Sequence, residues 1–153
     1  MTVLDAYAVI AYLRDEPAAD EVAPLLEAGD ARLTAVGLGE VLDHLVRLAR
    51  ADEEEAALDL AQLGLLDAIA VDSTVGAAAG RLRAGRYHRT RCSVSMADCL
   101  AAEAARYRTE SLATSDPHLL DICSAEGIDV IVLPGSDGSR WARPASGLDT
   151  AGG

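Results

Sequence analysis

The 153-residue sequence contains no lysine and no phenylalanine, one tryptophan and four tyrosines. Without lysine there is no P-loop with its Gly-Lys-Ser/Thr, no Schiff-base or pyridoxal chemistry, and no receiver-type phosphoacceptor site. Positive charge is scarce as well: thirteen basic residues, all arginine, face twenty-five acids, for a formal net charge of −12. Proteins that read duplex DNA carry the opposite sign, so a simple DNA-binding module is excluded. The three cysteines, Cys92, Cys99 and Cys123, form no C-x-x-C and are odd in number, which reads as reduced thiols of a cytoplasmic protein. His44, His88 and His118 show no metal-ligand spacing with them, which sets zinc aside. A Gly-x-Ser-x-Gly elbow is missing, and with it support for a Ser-His-Asp hydrolase. No apolar run comes near the length of a membrane span, and Met1 leads into a strand pattern without a basic stretch, so neither a span nor a signal peptide is expected.

What is present is aliphatic. Half of the residues are hydrophobic, enough for one domain with a sizeable core. Five short apolar runs read as strands: Thr2 to Leu4, Ala31 to Ala35, Ala68 to Val71, Leu112 to Thr114 and Val130 to Leu133. Helical patterns separate them over Ala6 to Arg14, Pro17 to Ala28, from Leu38 to Ala49, Glu53 to Leu63, Asp72 to Leu82, Met96 to Arg106 and Pro117 to Ala125. Short, uniformly apolar strands between helices predict an α/β fold: a three-layer α/β/α sandwich with a central, mostly parallel five-stranded sheet. Past Pro134 the composition turns Gly- and Ala-rich. The expected domain is therefore 1–134, with 135–153 a flexible tail whose Trp141 has the means to dock.

Ligands of open parallel sheets collect beyond the carboxyl ends of the strands, so acids there matter most. Asp5 ends the first strand, Glu40 lies early in the third helical pattern, Asp98 sits in Ser95-Met-Ala-Asp-Cys-Leu, and Asp116 follows the fourth strand. Each also has a plain role. Asp116 before Pro117 is a standard N-cap, Ser95-x-x-Asp98 resembles a capping box, Asp5 can cap the first helix, and Glu40 suits a solvated helix start. Asp98 is the most pointed of the four, because its apolar surroundings leave a carboxylate in need of a partner. Glu40 is the least, since it falls opposite its own helix's Leu42/Leu45 stripe. If these acids converge, they repel one another unless a hard divalent cation such as Mg²⁺ sits among them.

The stretches Val3-Leu-Asp5-Ala-Tyr-Ala-Val-Ile, Leu38-Gly-Glu40-Val-Leu, Ser95-Met-Ala-Asp98-Cys-Leu-Ala and Leu112-Ala-Thr-Ser-Asp116, in this order, resemble the PIN-domain family. Within it they are similar to the ribonuclease toxins of VapBC-type toxin–antitoxin pairs. The resemblance covers about Met1 to Pro134. It implies that Asp5, Glu40, Asp98 and Asp116 are catalytic, that Asp5, Asp98 and Asp116 hold Mg²⁺ (or Mn²⁺), and that the Thr114 hydroxyl supports them. The implied activity is that of an endoribonuclease which cleaves structured RNA with metal-activated water and leaves a 5′-phosphate. The implied partners are RNA, a small antitoxin with a DNA-binding part, and a second copy in a homodimer. One departure stands out: Tyr7 occupies the position where the family usually has Ser or Thr.

Arg81, Arg83, Arg86, Arg89 and Arg91 make a basic stretch with no acid in it, a candidate RNA-binding segment in an otherwise acidic protein; a solvated surface is the alternative. Two other functions compete with the nuclease. One is a PIN-fold interaction domain that binds a partner through the acid cleft. The other is a haloacid-dehalogenase-like phosphatase, which needs a second Asp where Tyr7 stands.

Overall fold

A computed structural model describes residues 1–145 of the chain. Four parallel strands, β1 (Thr2–Leu4), β2 (Ala31–Arg32), β3 (Ser111–Thr114) and β4 (Val130–Val132), form one sheet in the order β2-β1-β3-β4. Side chains alternate across it: Val3 and Leu112 enter one core, Leu4 and Ala113 the other. This two-sided burial explains why the central residues of β1 and β3 are apolar on both faces. The Leu4/Ala113 core is closed by α1 (Ala6–Leu13), α2 (Ala19–Glu27), α3 (Ala35–Asp43) and α4 (Glu53–Gln62). Across the sheet lie α5 (Ser73–Arg86), α6 (Met96–Arg108) and α7 (Pro117–Glu126). The three-layer α/β/α architecture is as expected from the sequence.

The sheet has four strands, not the five expected. Of Ala68 to Val71 only Ile69 pairs, in an isolated parallel bridge with Thr34. The cause is its neighbour: β2 is two residues long, and Thr34 already caps α3 by accepting from the Gly37 N–H at 2.9 Å. One residue therefore remains for Ile69 to pair with, through Ile69 N–H to the Leu33 carbonyl and Ala35 N–H to the Ile69 carbonyl.

Helix starts follow their caps. Asp5, Asp52, Asp72 and Asp116 each accept from backbone N–H groups of the first turn. Ser95 and Asp98 form a reciprocal capping box at α6, with the shorter Asp in place of Glu. Helix α3 runs into a π-helical turn over His44–Leu48. Helix α5 extends beyond the expected Leu82 to Arg86, so three of the basic stretch's arginines are helical. Among the described residues, no helix is long and apolar enough to cross a membrane.

The chain leaves β1 to one side for β2 and later returns to the other side of β1 for β3. That reversal opens a crevice beyond the carboxyl ends of β1 and β3, where α1 and α7 begin.

Residues after β4 turn back onto the domain. The Gly135 N–H donates to the Ser139 carbonyl at 2.8 Å, and Arg140 pairs with Glu21 of α2. The Trp141 indole donates to Asp121 of α7 at 2.7 Å. The expected tail thus divides: 135–145 is described, while 146–153 lies outside the described residues.

Candidate active site

The crevice is a cleft of about 510 Å³, and Asp5, Glu40, Asp98 and Asp116 all line it. Four acids spread over 112 positions of sequence are gathered by the sheet reversal and by the starts of α1, α6 and α7.

Asp5 is at the bottom, 8 % exposed. Its Oδ1 accepts from the Tyr7 N–H at 3.3 Å and its Oδ2 from the Thr114 hydroxyl at 2.7 Å. Thr114 is fully buried at the end of β3, and its Oγ also accepts from the Asp116 N–H at 3.1 Å. One hydroxyl therefore ties Asp5 to the cap of α7. Asp116 accepts from the His118 and Leu119 N–H groups through Oδ1, at 2.8 and 3.1 Å, which leaves Oδ2 without a partner among the described residues. Asp98 accepts from the Ser95 N–H through Oδ2 at 3.0 Å, which leaves Oδ1 likewise. Glu40 is exposed at the rim.

These carboxyls resist ionisation together. Asp5 is pushed up to about 7, by burial first and then by the charges of Asp98 and, less, Asp116, against the opposing pull of the Thr114 and Tyr7 hydrogen bonds. Burial also raises Asp98 above the ordinary carboxylate value, and the Asp116 charge adds to it. Glu40 is raised by partial desolvation and then by Asp98. Among the described residues, no unpaired arginine lines the cleft to relieve the repulsion; His44 is the other basic side chain in its wall. The one arginine lining the cleft, Arg47, is held bidentately by Asp43 at 2.8 and 2.9 Å.

The donor set suits a hard divalent cation in kind: carboxylate oxygens only, two of them unpartnered, with mutual repulsion for a cation to remove. Their spacing is wider than coordination requires. Among the described residues, no three Asp, Glu, His or Cys groups stand close enough to hold an ion as they are. The Asp98 carboxylate is turned back onto its own helix start by the capping box.

None of Arg81, Arg83, Arg86, Arg89 and Arg91 lines the cleft. Arg83 donates to the Val94 carbonyl at 3.0 Å and lies over the Tyr87 ring, and Arg86 pairs with Glu126 at 2.7 Å. Arg81, Arg89 and Arg91 are exposed. Cys99, next to Asp98, is fully buried, and burial pushes its thiol up to about 11, so it is packing and not a nucleophile.

Five polar cleft residues, Asp43, His44, Arg47, Ser115 and Ser136, escaped the sequence reading as site residues. His44 and Arg47 follow Glu40 by four and seven positions, the spacing of one helix face, so the signal was there to use. Ser136 carries no local signal; it reaches the cleft only because the segment after β4 folds back. Tyr7, which replaces the usual small hydroxyl residue, donates to Glu16 at 2.6 Å from the cleft wall.

A family model described as PIN domain matches residues 2–124. Solved structures show the same fold. FitAcB from Neisseria gonorrhoeae is 23% identical with a TM-score of 0.61, covering 86% of this chain and 96% of that one. FitAB bound to an IR36 DNA fragment is 22% identical with a TM-score of 0.64, over 86% and 94%. VapBC2 from Rickettsia felis, bound to a DNA fragment from its promoter, is 14% identical with a TM-score of 0.58, over 85% and 96%. No curated protein matches the chain.

Proposed function

The chain belongs to the PIN domain family, and from that premise we propose that it is a divalent-metal-dependent endoribonuclease, the toxin of a type II toxin–antitoxin pair. The observation that carries the reading is the meeting of Asp5, Glu40, Asp98 and Asp116 in one cleft whose lining arginine, Arg47, is already paired with Asp43. A single buried carboxylate can be a cap; three that burial, and then one another's charge, hold above their ordinary ionisation range call for a cation.

Asp5, Asp98 and Asp116 would hold Mg²⁺ or Mn²⁺, which when bound supplies the charge to acidify a water and to neutralise the phosphate under attack. Thr114 keeps Asp5 Oδ2 oriented and fixes the position of α7, so that two of the three carboxylates share one support. Glu40 at the open rim takes the proton of the attacking water on a carboxylate oxygen; its raised affinity for a proton suits that task. The exposed Arg81, Arg89 and Arg91 lie outside the cleft and would hold more distant parts of the RNA backbone. Family membership removes the phosphatase alternative. The interaction-domain alternative keeps the fold and loses the chemistry.

A small antitoxin is the partner this reading requires. VapBC2 bears the name of the pairs that the sequence resembles, and both it and FitAB are described bound to DNA. With its net charge of −12 this chain is a poor DNA ligand, so the DNA-binding part belongs to the antitoxin. The reading also includes a homodimer in the cytoplasm and a nuclease domain spanning 1–134.

The test is cleavage of end-labelled structured RNAs, with matched DNA as control, in Mg²⁺, in Mn²⁺ and in chelator. The expected result is metal-dependent cut RNA with 5′-phosphate ends. Binding of RNA or partner without cleavage in either metal would reject the nuclease and leave the interaction domain.

A further inference from the structure

A second cavity of about 310 Å³ adjoins the acid cleft and shares Ser115, Pro117 and Ser136 with it. The rest of its wall is the segment after β4, with Ser139, Arg140 and Trp141. That wall is fixed at three points. Gly135 and Ser139 close a backbone turn at 2.8 Å. Arg140 reaches Glu21 of α2 and the Val132 carbonyl at the end of β4, the latter at 3.1 Å. Trp141 is held by Asp121 of α7.

The chemistry of the lining is selective. Glu21 takes the charge of Arg140, and Asp137 is occupied by the Ser139 N–H and hydroxyl at 2.9 and 2.6 Å. What remains is an indole and several hydroxyls, with no free cation. Such a surface does not suit a phosphate. It suits a flat, uncharged ring with hydrogen-bonding edges, and stacking on aromatic side chains is how single-stranded RNA bases are commonly held.

We propose that this cavity is a nucleobase subsite: a base of the RNA strand stacks on Trp141 while the Ser115, Ser136 and Ser139 hydroxyls meet its edge. The subsite rests on the ribonuclease reading of the cleft it adjoins, and it would place the base beside the phosphate that the metal-loaded acids take.

Trp141 is the chain's single tryptophan, so its fluorescence reports the site directly. The experiment titrates the full chain with AMP, CMP, GMP and UMP, with ribose 5-phosphate, and with a single-stranded RNA oligonucleotide, in chelator to prevent cleavage. Saturable quenching by at least one nucleotide and by the RNA, and none by ribose 5-phosphate, is expected. In parallel, Trp141→Ala should raise KM for RNA about tenfold and change kcat less than about twofold, while Trp141→Phe should recover most of the loss. Absence of saturable quenching would overturn the subsite, as would an unchanged KM in Trp141→Ala with only lowered thermal stability, the mark of a purely structural anchor. If quenching occurs but no RNA is cut in any metal, the base site stands and the nuclease reading fails.

Discussion

Replacing Asp5 by Asn should make the metal-free protein more stable while removing its activity. Asp5 is buried, and its carboxyl is pushed up to about 7 by burial and by the charges of Asp98 and Asp116. In the unfolded chain the same group ionises near 3.8. Because the folded value is the higher one, the folded state binds the extra proton. Stability from this group is fully present below pH 3.8, drains away as pH rises, and is gone once pH passes about 7. The interval corresponds to on the order of 4 kcal/mol at most. Asn has nearly the same volume and carries no charge, so it avoids this cost but weakens the charge-assisted bond from Thr114. The net expectation at pH 8 in chelator is a gain of about 2 kcal/mol, shrinking toward zero or below at pH 4. Urea unfolding of parent and variant at several pH values measures it. Saturating Mg²⁺ should reverse the order: the parent gains about 2.7 kcal/mol at a hundred times Kd, and the variant gains much less. A variant that is less stable than the parent at pH 8 without metal would refute the claim that like charges strain this cleft.

Thr114→Val keeps the shape of a fully buried side chain but removes the hydroxyl that Asp5 and the Asp116 N–H share. It should cost about 2–4 kcal/mol near pH 8 and raise the Asp5 carboxyl further, whereas Thr114→Ser should cost about 1 kcal/mol; equal losses would dismiss the shared bond. Leu112→Ala, in the central strand and fully buried, should cost about 3 kcal/mol by thermal or urea unfolding with no change in metal affinity. An Arg89→Ala/Arg91→Ala variant should bind RNA more weakly and lower the salt slope of log K by about 1.4, at roughly 0.7 per single-strand phosphate contact; an unchanged slope would leave these arginines as solvated surface.

Much of this molecule could be read locally. The caps at Asp5, Asp72, Ser95 and Asp116 mark helix starts because each obeys a rule that spans three or four residues. The strands beginning at Thr2, Ser111 and Val130 are visible because both their faces pack against a core. By the same rule Ala68 to Val71 looks like a strand, yet sequence alone does not reveal that its neighbour ends at Arg32. Long-range pairings are invisible in the same way. Arg140 meets Glu21 across 119 positions, so the wall it builds beside the cleft leaves no pattern in its own stretch of Gly and Ser. The acids were findable because they close strands or open helices, the positions that a parallel sheet gathers at one edge. Of the basic stretch, Arg83 and Arg86 are spent on the fold, one on a backbone carbonyl and one on Glu126. Composition cannot distinguish such arginines from ligand-binding ones.

The central claim is that the acids hold the cation on which RNA cleavage depends, and Asp98→Asn tests it most directly. Asn can still accept the Ser95 N–H of the capping box, so the fold should remain, but the charge facing Asp5 and Asp116 is gone. Cleavage of a structured RNA substrate is measured for parent and variant across Mg²⁺ concentrations up to saturation, with circular dichroism confirming equal folding. The account predicts metal-dependent cleavage by the parent and none by Asp98→Asn at any Mg²⁺ concentration, with Glu40→Gln retaining the most activity among the four acid variants. Cleavage by Asp98→Asn at the parental rate in saturating Mg²⁺ would contradict it.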